Sequence, residues 1–190
     1  MQPERALHWS PCGLLILVLG ASGAGKDTLL DGARAALAGN EEVYFAQREI
    51  TRPADAGGEA HIAVEPDVFA ARKRDGFYAL NWCANGLCYG IPSTIRDVMS
   101  SGRRVVANGS RGALDNALAV FPQLRVILVT ADEAILAERL AARGRENEAD
   151  ITARLARARQ FSLSGDNIFE IRNDGTVAEG VDAMIRAILA

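Results

Sequence analysis

The run Leu14 to Leu19 is apolar at every position, as in a strand covered on both faces, and it ends on a glycine. From Lys26 to Leu37 the apolar residues return at helical spacing, and Gly39 closes that segment. Four more segments continue the plan: VYFAQ from Val43, RVVAN from Arg104, RVILVT from Arg125 and IFEI from Ile168 read as strands, most of them separated by helical patterns. This alternation predicts an α/β domain with a central parallel sheet flanked by helices. Capping-box spacing marks two helix starts, Thr130 with Glu133 and Thr176 with Glu179. The last helix carries Val177, Val181, Met184, Ile185 and Ile188 on one face, which reads as core.

One stretch departs from the alternation. Residues from about 48 to 91 hold loop, a short helix begun by Pro66 and the hairpin FYALNWCANGLCYGI, with Asn85-Gly86 as its two-residue turn. They form a small subdomain beside the sheet. The turn sets Cys83 opposite Cys88, but a bridge between directly opposed strand residues is strained, so the pair reads as reduced packing thiols. Nothing divides the chain, and residues 1–190 read as a single domain, long enough for one sizeable core.

Three cysteines make no disulfide framework, which points to the cytoplasm. The apolar run GLLILVLG is too short to span a bilayer and leads straight into a glycine loop, so no membrane association is expected. With 21 Lys and Arg against 24 Asp and Glu, the net charge of -3 argues against a nucleic-acid surface. The expected partner is a small molecule. Oligomeric state is not set by the sequence, and a homodimer stays open.

The chemistry begins at GASGAGKDTLL, Gly20 to Leu30, which follows a strand and opens a helix. Its spacing is that of a phosphate-binding loop, in which Gly20, Ala21, Ser22, Gly23, Ala24 and Gly25 turn backbone N–H groups toward a nucleotide and Lys26 reaches its β- and γ-phosphates. Asp27 stands where a serine or threonine hydroxyl ordinarily holds magnesium. A carboxylate there is a hard ligand for Mg²⁺, with simple capping of the helix as the alternative. Thr28, one residue on, also belongs to the expected nucleotide-binding loop, but it points about 100° away along a helix and does not replace Asp27 as a ligand.

A guanine-nucleotide switch would need an Asn-Lys-x-Asp motif, and no asparagine here precedes a lysine. A kinase needs a cationic lid. ERLAARGRENEADITARLARAR supplies one over about 139–157: Arg139 and Arg143 lie one turn apart, Arg145 follows, and Arg154 and Arg157 are again one turn apart. Lys26, Arg143 and Arg154 are the expected catalytic cations. The cluster Arg72, Lys73 and Arg74 reads as solvated.

These residues resemble the guanylate-kinase-like branch of the nucleoside monophosphate kinases, through GASGAGK, the TRP of Thr51 to Pro53, the hairpin ending in YG, the RG of the lid and RNDG before the last helix. The resemblance implies a P-loop kinase with an acceptor-binding subdomain and an arginine-rich lid, using ATP. It also implies that Arg52 grips the acceptor's phosphate and that Asn173 and Asp174 border the adenine. The departures are informative. Where guanylate kinases carry a tyrosine ahead of a histidine, this chain has EAHI with Ala60 and His61, and FYALNW lacks the carboxylate that reads guanine. At ANGSRG, Arg111 stands where an acidic turn is expected.

The set GKD, REITRP, EAHIAV, ANGLCYGIP, NGSRG, RGREN and NDG resembles the ribose 1,5-bisphosphate phosphokinases, bacterial enzymes of phosphonate degradation. That resemblance implies phosphoryl transfer from ATP to ribose 1,5-bisphosphate, with ATP and Mg²⁺ required and Arg52 and Arg111 facing the acceptor's phosphates. The rivals are a P-loop kinase for a nucleoside monophosphate and one for another small phosphorylated metabolite. His61 either touches a sugar hydroxyl or phosphate or is a packed loop histidine. Tyr89 either lines the acceptor pocket or belongs to the core.

Overall fold

The computed structural model describes residues 13–53, 60–143, 163 and 165–190. Five parallel strands form the main sheet: β1 (Leu15–Gly20), β2 (Val43–Phe45), β7 (Arg104–Asn108), β8 (Leu124–Thr130) and β9 (Ile168–Arg172), in the order β2-β7-β1-β8-β9. Each strand named from the sequence is present. β1 sits at the centre, and Leu15 to Leu19 are all 0% exposed, which explains the unbroken apolar run.

Because side chains alternate across a strand, β1 feeds two cores. Ile16 and Val18 pack with Val106, Ile127 and Val129 beneath α1 (Lys26–Ala36) and α6 (Val177–Leu189). Leu15, Leu17 and Leu19 join Val105, Ala107 and Leu128 on the opposite face, beneath α3 (Ile95–Ser100) and α4 (Arg111–Val120). Leu17→Ala would cost about 2–5 kcal/mol in such a core. In α6 the stripe narrows at its start: Met184 and Ile188 are buried, whereas Val177 is 58% exposed.

The insertion is a second sheet, β4-β3-β6-β5, made of β3 (Glu49–Ile50), β4 (Ile62–Ala63), β5 (Tyr78–Ala84) and β6 (Leu87–Pro92), with α2 (Pro66–Arg74) alongside. Asn85 (φ 51°) and Gly86 (φ 76°) make the hairpin turn, as the Asn-Gly pair requires. One expectation fails here. Cys83 and Cys88 are directly paired, their Cα atoms 4.0 Å apart, and they are disulfide-bonded rather than reduced. The tight turn fixes the two sulfurs within bonding reach.

Arg72 was also misread as solvated. Its Nη1 donates to Glu49 Oε1 at 2.6 Å, and the Tyr78 hydroxyl donates to Oε2, so Glu49 can be 4% exposed yet charge-compensated. The Glu49 hydrogen bond raises the Arg72 guanidinium above its ordinary value, and burial, then the bond to Glu49, raises the Tyr78 phenol. This trio ties β3 to α2 and β5.

The second helix start is as expected: Thr176 and Glu179 form a complete capping box. The first is not. Thr130 ends β8 and its hydroxyl donates to Glu170, while Asp132 caps α5 (Glu133–Arg143) by accepting from Ala134 N at 2.9 Å.

Candidate active site

In an open parallel sheet, ligands bind beyond the carboxyl ends of the strands. Four such ends converge here. The glycine loop leaves β1, Asn108 ends β7, Thr130 ends β8, and Asn173 follows β9.

The loop is held open by its neighbours. Gly25, the residue before α1, has φ +90°, and a Cβ there would run into Asn173 Nδ2. Only glycine suits both constraints. Asn173 is 6% exposed, and its amide donates to Ala24 O at 2.8 Å, so it braces the loop from below. Lys26 Nζ lies over the start of the loop, donating to Gly20 O at 2.9 Å and Ala21 O at 3.2 Å.

Asp27 lies in the first turn of α1. Its Oδ1 accepts from Asn108 Nδ2 at 2.9 Å, across the gap to β7. The acidic residue and the amide meet at the strand end: the carboxylate is on the helix and the amide on the strand. Register explains the meeting, since Val18 near the end of β1 pairs with Asn108. Thr28 is exposed. Asp27, Asn108, Asp31, Arg34, Phe45 and Arg48 line a cleft running from the loop toward the insertion.

His61 follows Ala60, which also lines that cleft, and is mutually bonded with Arg52. Arg52 Nη2 donates to His61 Nδ1 at 3.2 Å, and His61 Nε2 donates to Arg52 O at 3.1 Å, which assigns the Nε2–H tautomer. His61 thus orients Arg52, a role its lone position in the sequence did not reveal. Tyr89 is half-buried and stacks on Trp82 with ring centroids 5.4 Å apart, and Arg48 lies over both rings. Arg111 is the exposed first residue of α4.

Asp174 accepts from Asp132 N at 2.6 Å and from Arg172 Nε. Those bonds, the one from Arg172 first, hold its carboxyl below the usual range. One basic residue was undervalued by the sequence reading: Arg139 Nη1 lies 3.8 Å from the Cβ position of Gly25, beside the phosphate loop. Helical spacing had placed Arg139 on the face of Arg143 without singling it out. Arg143 ends α5, with its side chain outside the described residues, as are Arg145, Arg154 and Arg157.

Over 174 residues the chain is 47% identical to the ribose 1,5-bisphosphate phosphokinase of Rhizobium etli, covering 91% of this chain and 88% of that protein. It belongs to the ribose 1,5-bisphosphate phosphokinases. The member of this family from Desulfomicrobium baculatum is also 47% identical, over 92% of this chain and 94% of its own. The chain spans 26% of the bifunctional ribose 1,5-bisphosphokinase-thymidine phosphorylase of Azorhizobium caulinodans, at 45% identity over 94% of this chain, so the same unit also occurs within a longer polypeptide. Among solved structures, guanylate kinase from Anaplasma phagocytophilum superposes with a TM-score of 0.69 at 13% identity, over 95% of this chain and 86% of that one. A gluconokinase from Sinorhizobium meliloti gives 0.53 at 17%, over 95% and 94%. These two likenesses concern the fold alone. No family model matches the chain.

Proposed function

We propose that this chain transfers the γ-phosphoryl group of ATP to the 1-phosphate of ribose 1,5-bisphosphate, giving ADP and 5-phosphoribosyl 1-diphosphate, as a step in phosphonate breakdown. The observation that carries this reading is the acceptor side of the cleft. Arg48 lines it, Arg52 on the segment after β3 is held by His61, and Glu49, the buried carboxylate of the insertion among the described residues, already accepts from Arg72 and Tyr78. FYALNW, where the nucleoside monophosphate kinase reading would need a base-reading acid, carries no carboxylate.

An oxygen of the 1-phosphate is already anionic near neutral pH, so it attacks the γ-phosphorus without a side-chain base. The bond from that phosphorus to the β–γ bridging oxygen breaks, and ADP leaves with the electron pair. The protein's part is alignment and charge. Gly20 to Gly25 and Thr28 cradle the phosphates of ATP, and Lys26 swings from its loop carbonyls to the β- and γ-oxygens. Asn173, through the loop, and Asp174 border the adenine. Arg52, aimed by His61, takes the accepting phosphate with a planar fork. Arg143 and Arg154 close over the transferring group from the lid at about 139–157.

The donor set fits Mg²⁺ delivered on the triphosphate: Asp27, steadied by Asn108, would hold it through a hard carboxylate oxygen. When bound, the ion offsets the charge that builds on the bridging and γ-oxygens. Partners are small molecules, with neither nucleic acid nor membrane required. Among the described residues no helix is long and apolar enough to cross a membrane; use of ATP supports a cytoplasmic location.

Phosphorus NMR of the protein with Mg-ATP and ribose 1,5-bisphosphate tests the reaction. The 1-phosphate resonance should give way to a coupled diphosphate pair as ADP forms. ADP release with no sugar diphosphate would overturn the assignment.

A further inference from the structure

The amino terminus of α4 holds two polar groups without hydrogen-bond partners. Ser110 is its N-cap, with φ -144° and ψ 171°, a backbone from which a serine hydroxyl ordinarily accepts an N–H of the first turn. Here the side chain makes no such bond, and Oγ is buried and unpartnered. Trp82 of β5 is 6% exposed, and its indole Nε1–H is likewise unpartnered, although buried indoles nearly always find an acceptor.

The two groups meet over Gly112. A Cβ built there would lie 3.6 Å from Trp82 Cδ1, the atom bonded to Nε1, and 3.8 Å from Ser110 Oγ. Gly112 itself is exposed. The first turn of this ten-residue helix carries no acid, and Arg111 is its first residue. Two donors beside Gly112, a cation one residue before it and the positive end of a helix dipole thus lie together, an arrangement that suits an anion.

We propose that Ser110 Oγ, Trp82 Nε1, Arg111 and the α4 amino terminus form the subsite for the phosphate that is not attacked, the 5-phosphate of the sugar bisphosphate. This rests on the sugar-bisphosphate reading given above. Arg52 follows β3, and in the register of the small sheet Trp82 on β5 pairs with Tyr89 on β6, which pairs with Ile50 on β3. The Arg52 segment and the Trp82 edge therefore stand two strand spacings apart, about 10 Å, which suits the two ends of one pentose bisphosphate. Trp82 and Ser110 would make the enzyme select a bisphosphate over a monophosphate, because their donors are satisfied only when the second phosphate is present.

The test uses Trp82→Phe, which keeps a ring but removes the N–H, and Ser110→Ala, which removes only the hydroxyl. For each, kcat/KM is measured with ribose 1,5-bisphosphate and with ribose 1-phosphate, which lacks the second phosphate. Each variant should lower the preference for the bisphosphate roughly tenfold, through KM rather than kcat, as loss of one hydrogen bond to a charged group implies. An unchanged preference, or equal loss on both acceptors, would overturn the subsite. If the unsubstituted protein forms no sugar diphosphate from the bisphosphate, the parent reading falls, and the subsite falls with it.

Discussion

Exchanging Asp27 and Asn108 tests whether the carboxylate beside the phosphate loop serves magnesium. Asp27→Asn leaves an amide facing an amide at the 2.9 Å contact, so a charge-assisted hydrogen bond becomes a neutral one. The difference is on the order of 1 kcal/mol. Loss of a negative charge from the first turn of α1 adds about 0.3–1 kcal/mol. Nucleotide-free protein should then melt only roughly 2–8 °C lower. The Mg²⁺ concentration for half-maximal rate should rise about 10–100-fold. Asn108→Asp sets two carboxylates about 3 Å apart, a repulsion of about 6 kcal/mol at an effective dielectric near 20, reduced to a few by the solvent that reaches partly exposed Asp27, although Asn108 itself is buried. The double exchange restores one carboxylate and one amide with their places reversed. It should recover most of the stability lost by Asn108→Asp and most of the magnesium affinity lost by Asp27→Asn. The assays are thermal unfolding without nucleotide and Mg²⁺ titration of ADP release. If Asp27→Asn keeps its magnesium midpoint, or the double exchange is no better than the worse single variant, the metal role is wrong.

Arg143→Ala should lower kcat by more than it weakens ATP binding, as single-turnover rates and equilibrium titration would reveal; equal loss of both would return Arg143 to a solvated face. Tyr78→Phe removes one donor to buried Glu49 and should cost about 1.5–3 kcal/mol by urea unfolding, and a cost near zero would refute the trio as the tie of the insertion. In α6, the Thr176 backbone N–H and then its hydroxyl hold the Glu179 carboxyl below its ordinary value, so that stability is present above about pH 4.3 and is lost as pH falls through the lowered value. Melting temperature followed from pH 5 to pH 3 should therefore fall less steeply in Glu179→Gln than in the unsubstituted protein, and parallel curves would show the capping box to be uncoupled from acid stability.

The central strands were legible because burial on both faces leaves no polar position to break the run, as at Leu15 to Leu19. The phosphate loop was legible because close approach of backbone to phosphate demands glycines at fixed spacing. What escaped were contacts between segments distant in sequence. Asn173 is 149 residues from the carbonyl it braces. Arg72 reads as a surface cation until Glu49 is seen folded beneath it, and Asn108 looks like a lost acid until Asp27 is seen across from it. Helix caps depend on local dihedrals that spacing does not settle, and so Asp132 rather than Thr130 begins α5. The cysteines follow the same rule: the Asn-Gly turn was read correctly, but the closeness it imposes on Cys83 and Cys88 was underestimated.

The most direct measurement is the ratio of kcat/KM for ribose 1,5-bisphosphate to that for GMP, with the same protein and Mg-ATP. The proposed acceptor site, with arginines for the phosphates and no carboxylate in FYALNW to read guanine, predicts a ratio of at least about a hundred in favour of the sugar bisphosphate. A ratio below one would contradict the account.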